Sequence, residues 1–307
     1  MTRPARILVL RGGALGDFLV TLPVLSALRA RWPDAHIELI AYPLPGALAR
    51  AAGLVDVVKP LFASGIARYF VDNATIRDDD QAYFASFDFI VQYLHDPGGV
   101  LVENLKRCGV KILLQASPLI ENQHAIDHFL QPLTALALYD SDPIPRLNLP
   151  AAGSVQLDIP TAPWLAIHPG SGGRNKNWSL DAFLAVADHA EQTLGISSVF
   201  ITGDAEREFI PDLDRKLGGR TWWHQPDLVE LAIALGQARG YLGNDSGISH
   251  LAAAVAVPSV VMFGPTNPDL WAPRGSQVTI VTAPDGNLDN LPVQTVIEAL
   301  GARLRGV

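Results

Sequence analysis

A short polar turn between two apolar segments is the part of the sequence with the clearest chemistry. Four residues form it, namely Asn244, Asp245, Ser246 and Gly247, after the apolar stretch GYLG and before the small-residue stretch ISHLAAAVAV. A strand, a turn and a helix in this order place the turn at the carboxyl end of a parallel sheet, where open α/β folds bind ligands. The first amides of a helix have no intrahelical acceptor and carry partial positive charge, so they attract anions. The turn therefore predicts a site for a phosphate-bearing ligand.

A second candidate for anion binding is the glycine-rich turn HPGSGGRNKNW, residues 168–178, which follows the apolar stretch WLAI. It is not a Walker-type phosphate loop, because Asn177 stands where a serine or threonine would hold magnesium. What remains is a flexible turn suited to a diphosphate without a bound metal. The residues available for this are Ser171, Gly172, Arg174 and Lys176. An ordinary solvated lysine is the alternative interpretation of Lys176.

A third turn of this kind occurs in ITGDAERE, residues 201–208, where an apolar stretch ends in glycine and an acidic helix start. A carboxylate pairs well with vicinal hydroxyls, so Glu206 is a candidate for hydrogen bonding to a ribose. Its alternative role is to stabilise the start of a helix. Because the three turns all follow strand candidates, they are expected to converge on one edge of a sheet.

The segment RGGALGDFLVTLP, residues 11–23, places three glycines and an aspartate between a strand candidate and a helix candidate. A dinucleotide fingerprint would need glycine at Arg11 and an acidic residue near Ala41, so the motif argues against an NAD site. Asp17 has two interpretations. It caps the helix and opposes its dipole, or it acts as a general base towards a substrate hydroxyl.

The elements that must position these turns alternate between strand and helix, which is typical of parallel βαβ units. Strands are predicted at residues 5–10, 36–41, 55–60, 87–93 and 110–115, and again at 164–169, 197–202, 221–224, 240–244, 259–263 and 277–282. Helices are predicted near 17–31, 43–52, 98–108 and 122–139, between the later strands, and finally at 292–305. The proline-rich segment 141–163 has no helical period and indicates a linker. We therefore predict two Rossmann-like α/β domains, residues 1–150 and 151–307, facing one another across a cleft.

Composition sets limits on the class of protein. The chain has 307 residues, which suits two domains of about 150 residues each. Lys+Arg 23 against Asp+Glu 31 gives a net charge of −8, so nonspecific binding to nucleic acid or anionic lipid is disfavoured. The single cysteine is compatible with a reducing cytosol, and MTRPARILVLRGG lacks the features of a signal peptide. A cytoplasmic protein with at most peripheral contact with the inner membrane is expected.

Taken together, the motifs resemble glycosyltransferase family 9, the bacterial heptosyltransferases that build lipopolysaccharide core. The resemblance covers essentially the whole chain and is carried by GGALGDFLVTLP, HPGSGGRNKNW, TGDAERE, GNDSGISHLAAA and FGPTNPDLW, in this order. It implies the GT-B architecture and an inverting transfer of a sugar from a nucleotide-sugar, typically ADP-heptose, to a saccharide or glycolipid acceptor. The acceptor is expected in the N-terminal half and the nucleotide in the C-terminal half.

The resemblance also implies roles for individual residues. Asp17 corresponds to the catalytic base, Lys176 to a lysine that contacts the diphosphate, and Glu206 to the acid that meets the ribose. Residues around the phosphates and the sugar correspond to Asp245, Ser246, Gly247 and His250. No metal ion and no further cofactor are expected.

The acceptor region departs from what the resemblance implies. Family members that act on phosphorylated inner-core lipid are expected to present basic residues there, whereas VDNATIRDDDQAYF, residues 71–84, is net acidic. The nearby basic candidates are Arg68, Arg77, Lys106 and Arg107, with solvated surface charges as the alternative. An acceptor without phosphate, or one outside lipopolysaccharide, therefore stays open.

Other classes of function remain as alternatives. HAIDH, residues 124–128, resembles a metallohydrolase motif with aspartate in place of glutamate, but no third ligand is evident downstream, and a helical surface pair is the ordinary interpretation. A catalytically silent nucleotide-sugar-binding protein of the same fold is a second alternative. A nucleotide-sugar epimerase is a third, although the set of motifs matches the transferase better.

Overall fold

The computed structural model describes residues 3–63, 65–150, 155–203 and 215–306. The chain divides into two compact units, Met1–Pro143 and Ile144–Val307. The division falls inside the proline-rich segment 141–163. Residues 144–150, which precede the predicted boundary, belong to the second unit, where the Leu147 N–H donates to the Ala254 carbonyl at 2.8 Å.

The first unit contains a parallel sheet of five strands. They are β1 (Arg6–Leu10), β2 (His36–Ala41), β3 (Val57–Pro60), β4 (Phe89–Gln92) and β5 (Leu113–Gln115). Their order in the sheet is β3-β2-β1-β4-β5, and Leu8 of β1 lies opposite Glu38 of β2 and Ile90 of β4. Each strand lies within a predicted one. The order changes direction between β1 and β4, which is where such sheets bind ligands at their carboxyl edge.

The helices described in the first unit connect and cover these strands. They are α1 (Leu15–Leu19), α2 (Leu22–Arg31), α3 (Pro43–Ala51), α4 (Asp78–Ala85), α5 (Val100–Arg107) and α6 (Ala125–Leu130), with 3₁₀ turns at Ile66–Phe70 and Gln131–Leu136. The single helix predicted for 17–31 is two helices, because Thr21 between them bonds back to the Phe18 carbonyl instead of continuing the turn. Helix α4 was not predicted from the sequence.

The second unit contains a parallel sheet of six strands. They are β6 (Trp164–His168), β7 (Ser197–Thr202), β8 (Thr221–His224), β9 (Gly240–Asn244), β10 (Ser259–Phe263) and β11 (Val278–Thr282). Their order is β11-β10-β9-β6-β7-β8. The direction therefore changes between β6 and β9, where His168 lies opposite Gly243. This is the strand order of a Rossmann fold.

The helices described in the second unit are α7 (Leu180–Leu194), α8 (Leu228–Leu235), α9 (Gly247–Ala254), α10 (Pro268–Trp271) and α11 (Val293–Arg305), with 3₁₀ turns at Arg174–Lys176 and Leu288–Asn290. Helix α7 shows why they pack on the sheet. Its buried residues Phe183, Val186, Ala187 and Ala190 recur at three- and four-residue spacing, so they form one apolar face. Burying a large apolar side chain such as Phe183 contributes about 1.5–3 kcal/mol.

The central strands of both sheets are buried along nearly their whole length. All five residues of β6 and of β9 are buried, as are the last four of β1. Parallel sheets with helices on both faces require such continuous apolar strands. Polar side chains at the ends of these strands are therefore exceptions that call for a functional explanation. Among the described residues, no helix is both long enough and apolar enough to span a lipid bilayer.

Candidate active site

In the second unit, two of the predicted turns follow strands that are direct neighbours. The glycine-rich turn follows β6, and the turn with Asp245 and Ser246 follows β9. Asn244 joins them, since its Nδ2 donates to the Pro169 carbonyl at 2.7 Å and its Oδ1 accepts the Trp178 N–H at 3.2 Å. Asn244 is fully buried, and both ends of its amide are used. The two turns are thereby held in one arrangement at the carboxyl edge of the sheet.

Lys176 and Asp245 meet at this edge. The Lys176 Nζ lies 2.9 Å from Asp245 Oδ2, with the lysine side chain 35% exposed and the aspartate side chain 10% exposed. The aspartate fixes the position of the ammonium group beside the N-terminus of α9, which Ser246 caps. An ammonium group keeps further donors for a second partner, so this lysine can also pair with a phosphate oxygen.

The glycine-rich turn combines an internally bonded serine with an open backbone. The Ser171 hydroxyl is buried and lies 2.7 Å from Asn177 Oδ1 and 2.9 Å from the Gly173 carbonyl oxygen. A Cβ atom added to Gly172 would have no neighbour within 4 Å. Ser171 therefore fixes the shape of the turn, while the backbone at Gly172 is accessible to a ligand.

Ser246 begins a chain of polar contacts below the N-terminus of α9. Its hydroxyl accepts the Ser249 N–H at 3.3 Å and lies 3.3 Å from His168 Nδ1. Burial lowers the pKa of His168 to about 4, so the imidazole is neutral near pH 7. Gly247 is the first residue of α9, and His250 is buried one turn further along. A helix start with a neutral cap can receive an anion without charge repulsion from below.

Asp17 belongs to the first unit, in the first turn of α1, the helix that follows the central strand β1. Its Oδ2 accepts the Ala14 N–H at 2.9 Å, which closes the first turn of α1. Its side chain is 34% exposed. Gly13 has φ +90°, and a Cβ there would lie 2.7 Å from the Asp17 Cβ. The carboxylate is thus held by the backbone, and one face of it is open to solvent.

Arg11 is a site residue that sequence reasoning did not identify. It is 2% exposed, its Nε donates to Thr21 Oγ1 at 2.9 Å, and its guanidinium also donates to the Asp17 carbonyl oxygen. Arg11 Nη2 lies 4.0 Å from Asp17 Oδ1. Burial lowers the pKa of Arg11 to about 10, opposed by the nearby charge of Asp17, so it is a cation at neutral pH. The signal in the sequence was a charged residue directly after the apolar run ILVL.

Several other predicted residues have different surroundings. His124 is the cap residue before α6, and its Nδ1 accepts the Ile126 N–H at 3.2 Å, while His128 Nε2 lies 2.8 Å from the Ser117 carbonyl oxygen. Both histidines of HAIDH contact backbone atoms, and His124 is buried at the cap position, so the expected helical surface pair is wrong. Across the described ranges there is no group of three or more His, Cys, Asp or Glu placed to hold a metal ion. Glu206 lies outside the described residues.

Comparison with known proteins decides the family. The family model described as glycosyltransferase family 9 (heptosyltransferase) matches residues 120–299, more than half of the chain. The chain belongs to glycosyltransferase family 9. The matched segment includes the turns with Lys176 and Asp245, whereas Asp17 lies outside it. The predicted family is confirmed, and this family 9 protein is an enzyme that transfers a sugar.

Curated relatives of this family 9 enzyme are lipopolysaccharide heptosyltransferases. Heptosyltransferase 1 of Pseudomonas aeruginosa is 26% identical over 305 residues, which is 89% of this chain and 82% of that protein. Heptosyltransferase 1 of Escherichia coli is 38% identical over 75 residues, so that alignment spans only 24% of either protein. The enzyme is therefore heptosyltransferase-like.

Solved structures agree with the predicted fold class. The family 9 glycosyltransferase of Veillonella parvula superposes with TM-score 0.80 at 18% identity, covering 100% of this chain and 99% of that one. E. coli heptosyltransferase WaaC, solved with ADP, gives TM-score 0.73 at 19% identity over 97% of this chain and 99% of that one. The prediction of a GT-B fold with two Rossmann-like domains is confirmed.

Proposed function

We propose that this enzyme moves a sugar, heptose, from an ADP-sugar to a saccharide hydroxyl with inversion at the anomeric carbon. In this proposal Asp17 is the general base. The second unit holds the nucleotide diphosphate through the residues around Lys176 and Ser246. The heptosyltransferase WaaC solved with ADP, which shares this fold, supports the choice of nucleotide.

The observation that carries the proposal is the placement of the Asp17 carboxylate. Asp17 follows the central strand of its sheet, and its Oδ2 accepts a hydrogen bond from the Ala14 N–H. A third of its side chain remains exposed. Gly13, at φ +90°, leaves the space that the Asp17 side chain occupies. The position suits a group that must be ionised, immobile and accessible to a substrate hydroxyl.

The reaction follows from general acid–base chemistry. The acceptor hydroxyl approaches Asp17 to about 3 Å and attacks the anomeric carbon from the face opposite the diphosphate. The new C–O bond forms as the bond to the diphosphate oxygen breaks, and the hydroxyl proton passes to Asp17. The hydroxyl becomes strongly acidic only as the new bond forms, so a carboxylate is a sufficient base.

The departing ADP carries the negative charge that must be stabilised. We assign this to the Lys176 ammonium, held in place by Asp245, and to amides at Gly247 and in the glycine-rich turn near Gly172. No metal ion is required in this assignment. Ser171, Ser246 and His250 support the shape of the site, and Glu206 is proposed to meet the ribose. Loss of one such donor raises an activation barrier by roughly 2.7–4 kcal/mol.

The acceptor is proposed to be a saccharide or a glycolipid with an accessible sugar hydroxyl. The relatives named above act on lipopolysaccharide, which supports a glycan of the bacterial envelope. A cytoplasmic enzyme would reach such an acceptor through peripheral contact with the inner face of the inner membrane.

Thermal shift with ADP-, UDP- and GDP-sugars tests the donor assignment. A ligand at 100 times its dissociation constant stabilises by about 2.7 kcal/mol, or roughly 5–10 °C for a domain of this size. We expect this shift with ADP-sugars, its loss in Lys176→Ala, and its retention in Lys216→Ala, which breaks the surface ion pair of Lys216 with Asp181. Equal shifts with all three nucleotides, or an unaffected Lys176→Ala, would contradict the assignment.

A further inference from the structure

Two aromatic rings stand at the carboxyl edge of the first sheet. Phe62 is 81% exposed, and its ring lies 5.2 Å from that of Tyr42, the residue before α3. Leu44, two residues beyond Tyr42, is 61% exposed. A phenylalanine ring as exposed as Phe62 is unusual, because leaving a large apolar side chain in water forgoes its burial energy. We call Tyr42, Leu44 and Phe62 the aromatic platform.

The platform adjoins the turn that carries Asp17. Tyr42 directly follows β2 and Phe62 follows β3, while the Asp17 turn follows β1, so all three leave the same edge of a parallel sheet. Two strand spacings separate β1 from β3, about 10 Å. Helix α1 packs against α3, and a Cβ on Gly12 would lie 3.7 Å from Leu61, the residue before Phe62. The platform is thus a continuation of the Asp17 site within the first unit.

Three cations of the first unit contact other groups of the protein. Lys59, three residues before Phe62, lies 3.0 Å from Glu38 Oε2 and 3.9 Å from the centre of the Tyr83 ring. Arg68 pairs with Asp80 at 2.6 Å. Arg107 donates to the Ala74 carbonyl at 3.1 Å and to Asn104 Oδ1 at 2.7 Å. Glu38 and Asp80 offset the charges of Lys59 and Arg68, so these two cations add little net positive charge to this part of the unit.

The acidic start of α4 also affects which charge a ligand near the platform can carry. Asp78 and Asp79 are exposed in its first turn. Residues 71–84 carry four aspartates against one arginine, Arg77, so the charge of this segment disfavours an anionic acceptor. An uncharged group avoids this repulsion, so charge favours a neutral occupant.

We propose that the aromatic platform binds an uncharged sugar ring of the acceptor and presents its hydroxyl to Asp17. The face of an aromatic ring is negative, so it attracts the partly positive C–H groups of a sugar, and the apolar face of the sugar is removed from water. Phe62 supplies the exposed face, and Tyr42 holds it from the side. This inference deepens the proposed function and rests on it, since it names the class of acceptor that the Asp17 site takes.

Saturation-transfer NMR on the full-length enzyme tests the proposal. The probes are methyl α-mannopyranoside, methyl β-glucopyranoside and methyl β-galactopyranoside, with mannose 6-phosphate and glucose 6-phosphate as charged counterparts. We expect transfer to at least one neutral glycoside and weaker transfer to the phosphates. Phe62→Ala should weaken binding roughly 2- to 10-fold, the worth of an aromatic contact, and Phe62→Trp should retain it.

Two controls make the result specific. Tyr139, which is 72% exposed and not part of the platform, provides the matched variant Tyr139→Ala, and this should bind as the wild type does. The thermal shift with ADP-sugar, measured on the same samples, separates the two proposals. If the donor binds and the glycosides do not, only the platform is refuted; if no donor binds, the proposed function fails.

Three results would overturn the proposal. They are tighter binding of the sugar phosphates than of the neutral glycosides, binding unaffected by Phe62→Ala, and no binding of any neutral glycoside. A fourth test that could overturn the proposal is flotation of the enzyme with vesicles of phosphatidylethanolamine and phosphatidylglycerol. Vesicle binding by the wild type that Phe62→Ala abolishes would make the platform a membrane contact instead.

Discussion

Asp17 depends on residues that hold its turn from both sides. Gly13 leaves room for the side chain, and Arg11 binds the Asp17 carbonyl oxygen from inside. A guanidinium with 2% exposure costs free energy to bury, and here it is satisfied by Thr21, by that carbonyl and by the Phe129 ring 4.4 Å away. The geometry of one carboxylate is thus determined by a buried cation and a glycine.

Gly13→Ala tests this dependence. Strain at φ +90° and the clash with the Asp17 Cβ should lower stability by about 1–2 kcal/mol and reduce turnover at least roughly 10-fold. Gly53→Ala is the matched control, because Gly53 has φ +69° but no neighbour within 4 Å of an added Cβ. It should lose similar stability and keep full turnover, as measured by urea unfolding and steady-state kinetics. Equal turnover in both variants would contradict the account.

Single residues differ in how far the sequence predicts their role. The pairing of Lys176 with Asp245 could be anticipated, because each follows a strand and parallel strands end at one edge. The contribution of Arg11 could not, because periodicity does not tell whether a charged residue at a strand end turns inward. The neutral state of His168 likewise depends on burial that only the packed structure specifies.

At the scale of elements, the N-terminus of α9 has a structural and a functional role that can be separated. Ser246 caps it, as Asp227 caps α8 by accepting the Val229 and Glu230 amides at 2.8 and 3.1 Å. Ser246→Ala and Asp227→Ala should each cost about 1 kcal/mol of stability. Only Ser246→Ala should also weaken donor binding in calorimetry. Weakening by Asp227→Ala to the same extent would show a purely structural effect.

Strand β2 carries a buried carboxylate that makes the first sheet sensitive to acid. Burial by itself would raise the pKa of Glu38, but hydrogen bonds from Lys59, His36 and Tyr83 outweigh it, and the pKa lies below its usual 4.5. The folded state therefore binds fewer protons than the unfolded state, and the stabilisation is lost as pH falls through this range.

Glu38→Gln tests whether the stabilisation by Glu38 is lost as the pH falls. Its free energy of unfolding should be lower than that of the wild type at pH 7, and the difference should shrink from about pH 5 downwards. Urea unfolding followed by circular dichroism at several pH values measures it. The exposed variant Glu121→Gln should follow the wild type. A constant difference between Glu38→Gln and the wild type from pH 7 to pH 3 would contradict the argument.

The elements themselves were largely predictable. Strands stand out because buried parallel strands are continuous apolar runs, and all eleven observed strands were predicted. Helix α4 was missed because its DDDQ start looks like a polar loop, although three aspartates in a first turn favour the helix dipole. The predicted helix 122–139 ends at Leu130, and Pro132 then falls in a 3₁₀ turn.

At the scale of the whole molecule, the two units repeat one design. In both sheets the strand order reverses beside the first strand of the unit, and in both a candidate site turn follows that strand. The alternating sequence pattern predicted this doubling, because each unit needs its own run of strands and helices around its own core. The net charge of −8 agrees with a small nucleotide-sugar as the anion to be bound, at a few defined donors, in place of a polyanion.

Turnover of Asp17→Asn, with the donor selected by thermal shift, tests the central claim most directly. Asparagine keeps the size of the side chain and removes its basicity, so kcat should fall roughly 10²- to 10⁴-fold while donor affinity stays within about 2-fold of the wild type. Asp78→Asn, at the exposed start of α4, should keep full activity. An Asp17→Asn enzyme that turns over as fast as the wild type would contradict the assignment of Asp17 as the base.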